Sequence, residues 1–351
     1  MTGATSLDRP SSSYSRPLHL TAWATAITTF PLIFMGGLVT SHGAGLAVND
    51  WPHSEGYLMW LMPLNRWFGP FDVFLEHTHR VIGSIVGLLA IILLAGAWRT
   101  RQRPGVRWLA AAILGSVIVQ GVLGGLRVVW RDLDLAVVHG VIAHAVFCLT
   151  ALAVVMTSRR WYEPSRAWAI PGADSIGRLA AITTGAIFVQ LIIGAMVRHY
   201  NAALAIPDFP LVYGKFVPPL SPTELAAANV WRSGTPHLGD TTLWLIWLHF
   251  AHRQGAVLVL LAVTLTVAWM IRARHSAPEL VREGVVLSLL LAIQWVLGIL
   301  TVVWQRPKFI ATLHVAVGAL LLLVLFVTAV KAFRAGGPKA TPRFAPGGIP
   351  A

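Results

Sequence analysis

Four histidines stand in apolar surroundings at matched places in two copies of one signature. The first copy reads Gly37-Leu-Val-Thr40, Trp51-Pro52, Glu76-His-Thr-His79-Arg80, Gln120-Gly-Val-Leu-Gly124 and Val138-His139. The second reads Ala195-Met-Val-Arg198, Phe209-Pro210, His249-Phe-Ala-His252-Arg253, Gln294-Trp-Val-Leu-Gly298 and Leu313-His314. Two imidazoles projecting inward at one level of a helix bundle are what bis-histidine ligation of heme iron requires. The candidate axial pairs are His79 with His139 and His252 with His314. An ionisable side chain inside a membrane is costly and marks a functional site by default. Zinc is the weaker reading, because no cysteine or third ligand accompanies either pair.

The two copies differ in one chemical respect. Glu76 lies three residues before His79, on the same helix face, and its counterpart is His249. A carboxylate beside one pair only points to a general acid or base in that half, with helix N-terminal capping as the alternative. Arg80 and Arg253 each follow a ligand candidate, where a guanidinium suits a heme propionate or snorkels to the headgroups. Arg127 and Arg198 are further propionate candidates. Gln120 and Gln294, with their glycines, read as marks of close helix packing. His144 is the fallback ligand to His139. His77 faces away from His79, and His42 and His199 sit where they would cap a pocket. His19, His53, His237 and His275 read as interface or loop residues.

The elements that must position these groups are membrane helices. Of 351 residues, 56% are hydrophobic and 12% charged, against roughly a quarter charged in a soluble domain. Mean hydropathy is +0.68. Apolar runs predict eight spans, at 18–40, 72–97, 107–129, 135–157, 177–199, 243–271, 281–304 and 309–333, and in lipid these must be helical. The net charge of +13 is a topology signal and excludes a nucleic-acid reading. The arginines gather in the short loops, at 99–107, 159–178 and 272–282, and in the tail. The positive-inside rule therefore places both termini in the cytoplasm. The opposite loops, 41–71 and 200–242, are long and rich in Pro, Gly and aromatics, as ordered caps would be. Cys148 is the only cysteine and lies within a span, which excludes an internal disulfide and an iron–sulfur cluster.

The repeat defines the architecture. Gly37 and Ala195 stand 158 residues apart, as do Pro52 and Pro210, whereas His79 and His252 stand 173 apart and His139 and His314 175 apart. The one large change falls in a long loop, where insertions are tolerated. Four spans per copy keep the copies parallel in the membrane. The expected fold class is an all-α membrane protein of eight transmembrane helices, arranged as two tandem pseudo-symmetric four-helix bundles. Its divisions are a disordered tail at 1–17, an N-terminal half at 18–158, a C-terminal half at 177–333 and a disordered tail at 334–351.

Taken together, Glu76-His-Thr-His79-Arg80, Gly36-Gly-Leu-Val-Thr40-Ser-His-Gly43, Gly194-Ala-Met-Val-Arg198-His199 and Ala251-His252-Arg253 resemble the heme A synthase family over about residues 20–333. The long loops lack cysteine pairs that some members carry, so the chain is similar to a cysteine-free branch. The resemblance implies a membrane oxidoreductase that converts the C8 methyl of heme O to a formyl group, giving heme A for terminal oxidases. It implies heme b as cofactor at His252, His314 and Arg253, heme O as substrate at His79, His139 and Arg80, and Glu76 as the catalytic carboxylate. It further implies a multi-pass protein of the bacterial inner membrane that works beside heme O synthase and terminal oxidase assembly factors. Self-association stays open. A diheme b-type electron-transfer cytochrome is the alternative, although it needs hemes at two depths and gives Glu76 no task. A transporter with histidine proton relays would be colourless.

Overall fold

The computed structural model describes residues 14–162, 173–235, 237–274 and 278–335. The expected tails and the loop residues Arg166 and His275 fall wholly or mostly outside them. The described chain is helical. The long helices are α1 (Arg16–His42), α3 (Phe71–Arg99), α4 (Pro104–Val129), α5 (Leu133–Thr157), α6 (Ala173–His199), α8 (Leu243–Arg272), α9 (Pro278–Val303) and α10 (Lys308–Ala335). Two short ones, α2 (Leu64–Trp67) and α7 (Pro222–Ser233), lie in the long loops. All eight long helices are long and apolar enough to cross a bilayer, within a few residues of the sequence expectation.

Local chemistry sets the ends. Pro104 opens α4, where a missing N–H costs nothing. The Asp132 carboxylate accepts from Leu135 N at the start of α5, and the Thr242 hydroxyl does the same for α8. Gly43 ends α1 with φ of 70°, a left-handed turn that glycine adopts without a Cβ penalty.

The long helices pack in two closed circuits. In one, α1 meets α3, α3 meets α4, α4 meets α5 and α5 returns to α1; in the other, α6, α8, α9 and α10 do the same. The circuits meet where α1 and α5 face α6 and α10. Each has an apolar core at the end away from the long loops. Leu93, Ile113 and Ala22 belong to the first core, and Val263, Leu287 and Leu325 to the second. Small residues at these contacts let helices approach closely where lipid offers no hydrophobic drive.

The long loops repeat each other in detail. Asp50 accepts from the amides of Glu55 and Gly56, and Asp208 accepts from those of Tyr213 and Gly214. Ser54 pairs with Tyr57, and Val212 with Lys215, in matching tight turns. The Trp51–Pro52 and Phe209–Pro210 peptides are both cis. The described residues of both loops thus form matching turns, each gathered on one aspartate.

Candidate functional site

Above the two apolar cores the interior opens. A continuous cavity of about 1400 Å³ runs from one circuit to the other and is lined by all four histidines of the repeat. Each histidine stands within the first three turns or so of a helix that starts at the long-loop end: His79 on α3, His139 on α5, His252 on α8 and His314 on α10. Within each circuit the two rings face each other. The centres of His79 and His139 are 6.5 Å apart with planes at 78°, and those of His252 and His314 are 6.4 Å apart at 74°.

Glycine holds each ring in place. A Cβ on Gly36, Gly124, Gly194 or Gly298 would stand 2.9, 3.2, 2.9 or 3.1 Å from Cε1 of His79, His139, His252 or His314, respectively. Every ring therefore lies against bare backbone of the neighbouring helix. Gly124 and Gly298 end the repeated Gln-x-x-x-Gly element, and Gly36 and Gly194 keep the 158-residue spacing. The signal for these cradles was present in the sequence, but packing was only half of their role.

The other ring nitrogens differ between sites. His79 donates from Nδ1 to the Leu32 carbonyl at 3.2 Å, which leaves Nε2 with its lone pair. At the equivalent position of the second circuit a side chain takes over. The Gln190 amide nitrogen donates to the His252 carbonyl at 2.7 Å and lies 3.1 Å from His252 Nδ1. The sequence carries no signal for Gln190, because its counterpart, Leu32, acts through its backbone. Gln120 donates to the His139 carbonyl at 3.0 Å, and the Gln294 amide nitrogen lies 3.4 Å from His314 Nε2. Both glutamines line the cavity, so they support the ligand helices besides packing them. Nδ1 of His139 and of His314 is buried with no partner in the protein.

These pairs fit iron held between two imidazoles. An imidazole nitrogen sits about 2 Å from a bound metal, so two rings in line on one iron have centres a little over about 6 Å apart. Among the described residues no group of three His, Cys, Asp or Glu could hold a metal, and two facing imidazoles suit the two axial positions of a macrocycle-bound iron. The cavity exceeds the roughly 300–1,000 Å³ of a pocket for one drug-sized molecule.

Glu76 is 2% exposed and lines the cavity. Its Oε2 accepts from Val48 N at 2.9 Å and its Oε1 from Arg80 at 2.8 Å. His249 occupies the same place in the second circuit. Ile206 N donates to its Nδ1 at 3.2 Å, and Arg253 Nε lies 3.4 Å from its Nε2. The environment is duplicated, and only the side chain differs. The two arginines act as loop anchors. Arg80 donates to the carbonyls of Val48, Asp50 and His53, and Arg253 to those of Ile206, Asp208 and Leu211. Most of their N–H groups are thereby directed at the loops.

Two other cations are less occupied. Arg127 makes one long bond, 3.4 Å to the Gly45 carbonyl, and Arg198 crosses between circuits to the Gly37 carbonyl and to Ser41 Oγ, the latter at 2.7 Å. Both line the cavity, as do His42 and His199. His144 also lines it, with Nδ1 on the Gly140 carbonyl at 2.8 Å and Nε2 unpartnered; it is not the ring that faces His79. His77 points elsewhere, its Nδ1 3.1 Å from Ser54 Oγ and its ring against Trp67. His19 meets Thr157 at the opposite end of the molecule.

Fold and site together define a polytopic helical membrane protein with a duplicated, buried histidine-pair pocket. The model of the cytochrome oxidase assembly protein family COX15-CtaA matches residues 19–326, and the chain belongs to that family. Among curated relatives, a heme A synthase of Sphingopyxis alaskensis is 30% identical, covering 92% of this chain and 95% of its own. One of Beijerinckia indica is 28% identical over 92% and 94%. One of Shouchella clausii is 30% identical over 68% and 78%.

Proposed function

We propose that this chain is a heme A synthase, an oxidoreductase that converts the C8 methyl of heme O to a formyl group. Family membership and the relatives' names support the reaction class. The observation that carries the division of labour is the pair Glu76 and His249, two different side chains in one duplicated setting. In this reading His252 and His314 hold heme b as the redox cofactor, and His79 and His139 bind heme O. The two heme irons supply the redox chemistry when bound. The residues of the chain bind, orient and manage protons. Glu76, inside the cavity and held by Val48 N and Arg80, is fixed as a proton acceptor at the rim of the first pocket. Arg127 and Arg198, with few protein acceptors, suit the propionates. Arg80 and Arg253 set the pocket rims through the loops.

The same reading places the long loops outside the cytoplasmic face of a bacterial inner membrane, the two circuits as tandem bundles related by an axis near the membrane normal, and heme O synthase as the source of substrate. A diheme carrier would use the same two pairs, but it needs hemes at two depths and both pairs stand near the long-loop end of their helices. Glu76 favours the enzyme, because a carrier needs no carboxylate at one pair. Coexpression with a source of heme O, followed by extraction and separation of the hemes, tests the proposal: heme A should appear with the wild-type chain. Glu76→Gln should keep both heme spectra and lower heme A by at least tenfold. Undiminished heme A from that variant would remove Glu76 from the chemistry.

A further inference from the structure

The first long loop carries an apolar face with no protein partner. Between Tyr57 and Phe71, the side chains of Leu58, Trp60, Leu61, Leu64, Phe68 and Phe71 are all exposed, Leu61 and Leu64 by 69% and 68%. A patch of that kind on a folded protein marks an interaction site. The opposite face of the same segment looks inward. Met62 is buried with Val48 and Val73, Trp67 Nε1 donates to Thr78 Oγ1 at 2.9 Å, and Met59 lines the cavity with its sulfur 3.7 Å from Ser84 Oγ. Ser84 belongs to α3, the helix of His79. The segment therefore covers the first pocket on one side and presents hydrocarbon on the other.

Its charge identifies what covers it. The only charged residue from 57 to 71 is Arg66, and its guanidinium is paired with Glu55 at 2.7 Å. No free charge is left to recognise a polar partner. The segment runs directly into α3, whose Leu88, Ile91 and Ile92 face outward in the membrane-crossing stretch. An amphipathic segment continuous with a span, apolar and aromatic on its free face, lies in the plane of the lipid interface.

We infer that residues 57–71 form a lipid-seated lid over the first pocket, and that the substrate passes from the hydrocarbon of that leaflet into the cavity past Met59 and Ser84. This rests on the proposed assignment of the His79–His139 pocket to heme O. An apolar macrocycle then never crosses water, and the lid need only slide within the interface.

Two measurements test it. In a Cys148→Ala background, a spin label on Leu61→Cys in phospholipid vesicles should respond more to lipid-soluble oxygen than to a water-soluble nickel chelate; the reverse order overturns the seating. In the same background, Met59→Cys/Ser84→Cys protein bridged by a short bis-thiosulfonate should take up heme O from vesicles at least tenfold more slowly than after reduction of the bridge. The heme b spectrum should be unchanged by bridging, so the reduced form serves as its own folding control. Equal uptake by bridged and reduced protein overturns the route. Uptake without heme A formation leaves the route standing and overturns the synthase reading. No uptake by the reduced protein overturns both.

Discussion

The glycine cradles allow the two pockets to be damaged separately. In Gly194→Ala the new methyl would stand 2.9 Å from His252 Cε1, and in Gly36→Ala it would stand 2.9 Å from His79 Cε1. Carbon atoms pack best at about 3.5–4.0 Å, so each ring must retreat by roughly 0.6 Å or its helices must part. Overpacking of this kind costs about 1–3 kcal/mol. If it falls on the liganded state, heme retention weakens by about 5- to 150-fold. The helix itself gains from the change, since alanine is better than glycine in a helix interior by about 0.5–1 kcal/mol. Gly185→Ala on α6 and Gly115→Ala on α4 have nothing within 4 Å of the new methyl and should show that gain alone. The assay is the ratio of b-type Soret absorbance to protein after purification, read beside the extracted heme composition. Gly194→Ala should lose heme b. Gly36→Ala should keep heme b and lose heme A formation. Full heme b in Gly194→Ala would refute the cradle argument, and equal loss of heme b in both variants would refute the division of the pockets.

The loops give two further predictions. Arg80→Ala removes three carbonyl contacts to the first long loop, and hydrogen bonds to charged groups are each worth about 1.5–3 kcal/mol. Protease should then cut between residues 48 and 57 at least tenfold faster in membranes, while the loop held by Arg253 stays resistant; equal resistance of both would refute the anchoring role. Burial pushes the Asp50 carboxyl up, but the amides of Gly56, Glu55 and Asp50 itself, with Arg80 near, together hold it below the ordinary carboxylate value. A depressed folded value means that its contribution is present above the unfolded value of about 3.9 and is lost as pH falls through the folded one. Protease sensitivity of the first loop should accordingly rise only below about pH 4, and Asp50→Asn should abolish that pH step; a step retained in the variant would assign it to another group.

Much of the site was legible in the sequence because membrane helices leave few ways to be ambiguous. Apolar runs fixed the spans, and a polar side chain inside them had to have a reason. The matched spacing of His79, His139, His252 and His314 paired them before any contact was known. What remained hidden acts through backbone or geometry. Leu32 supports His79 with a carbonyl, which its side chain does not announce. Arg80 and Arg253 read as partners for an anion, and their bonds to loop carbonyls far away in sequence, beside the Arg80–Glu76 pair, carried no signal. Gln120 and Gln294 read as packing residues, and only their distances to the ligand helices give them a second role.

The repeat makes the few differences informative. Two pockets with nearly equal ring separations, equivalent glycines and equivalent loop turns would bind the same kind of ligand with the same strength if nothing else changed. Several positions break the equivalence around the ligands, among them Glu76 against His249, the Leu32 carbonyl against the Gln190 amide, Arg127 against Thr301, and Thr40 against Arg198. The first pocket thus collects a buried carboxylate and a half-buried cation. The second has an imidazole and an amide in place of the carboxylate and the Leu32 carbonyl, with Arg253 beside that imidazole and Arg198 on a helix that bonds across to α1. In the proposed division a carboxylate beside one pocket supports proton movement there, whereas a pocket without one suits a group that changes oxidation state without changing partners. Exchanging Glu76 and His249 should therefore do more than exchange two residues: if surroundings assign the roles, the double variant keeps both hemes but produces no heme A, because Arg127 and the Leu32 carbonyl remain behind.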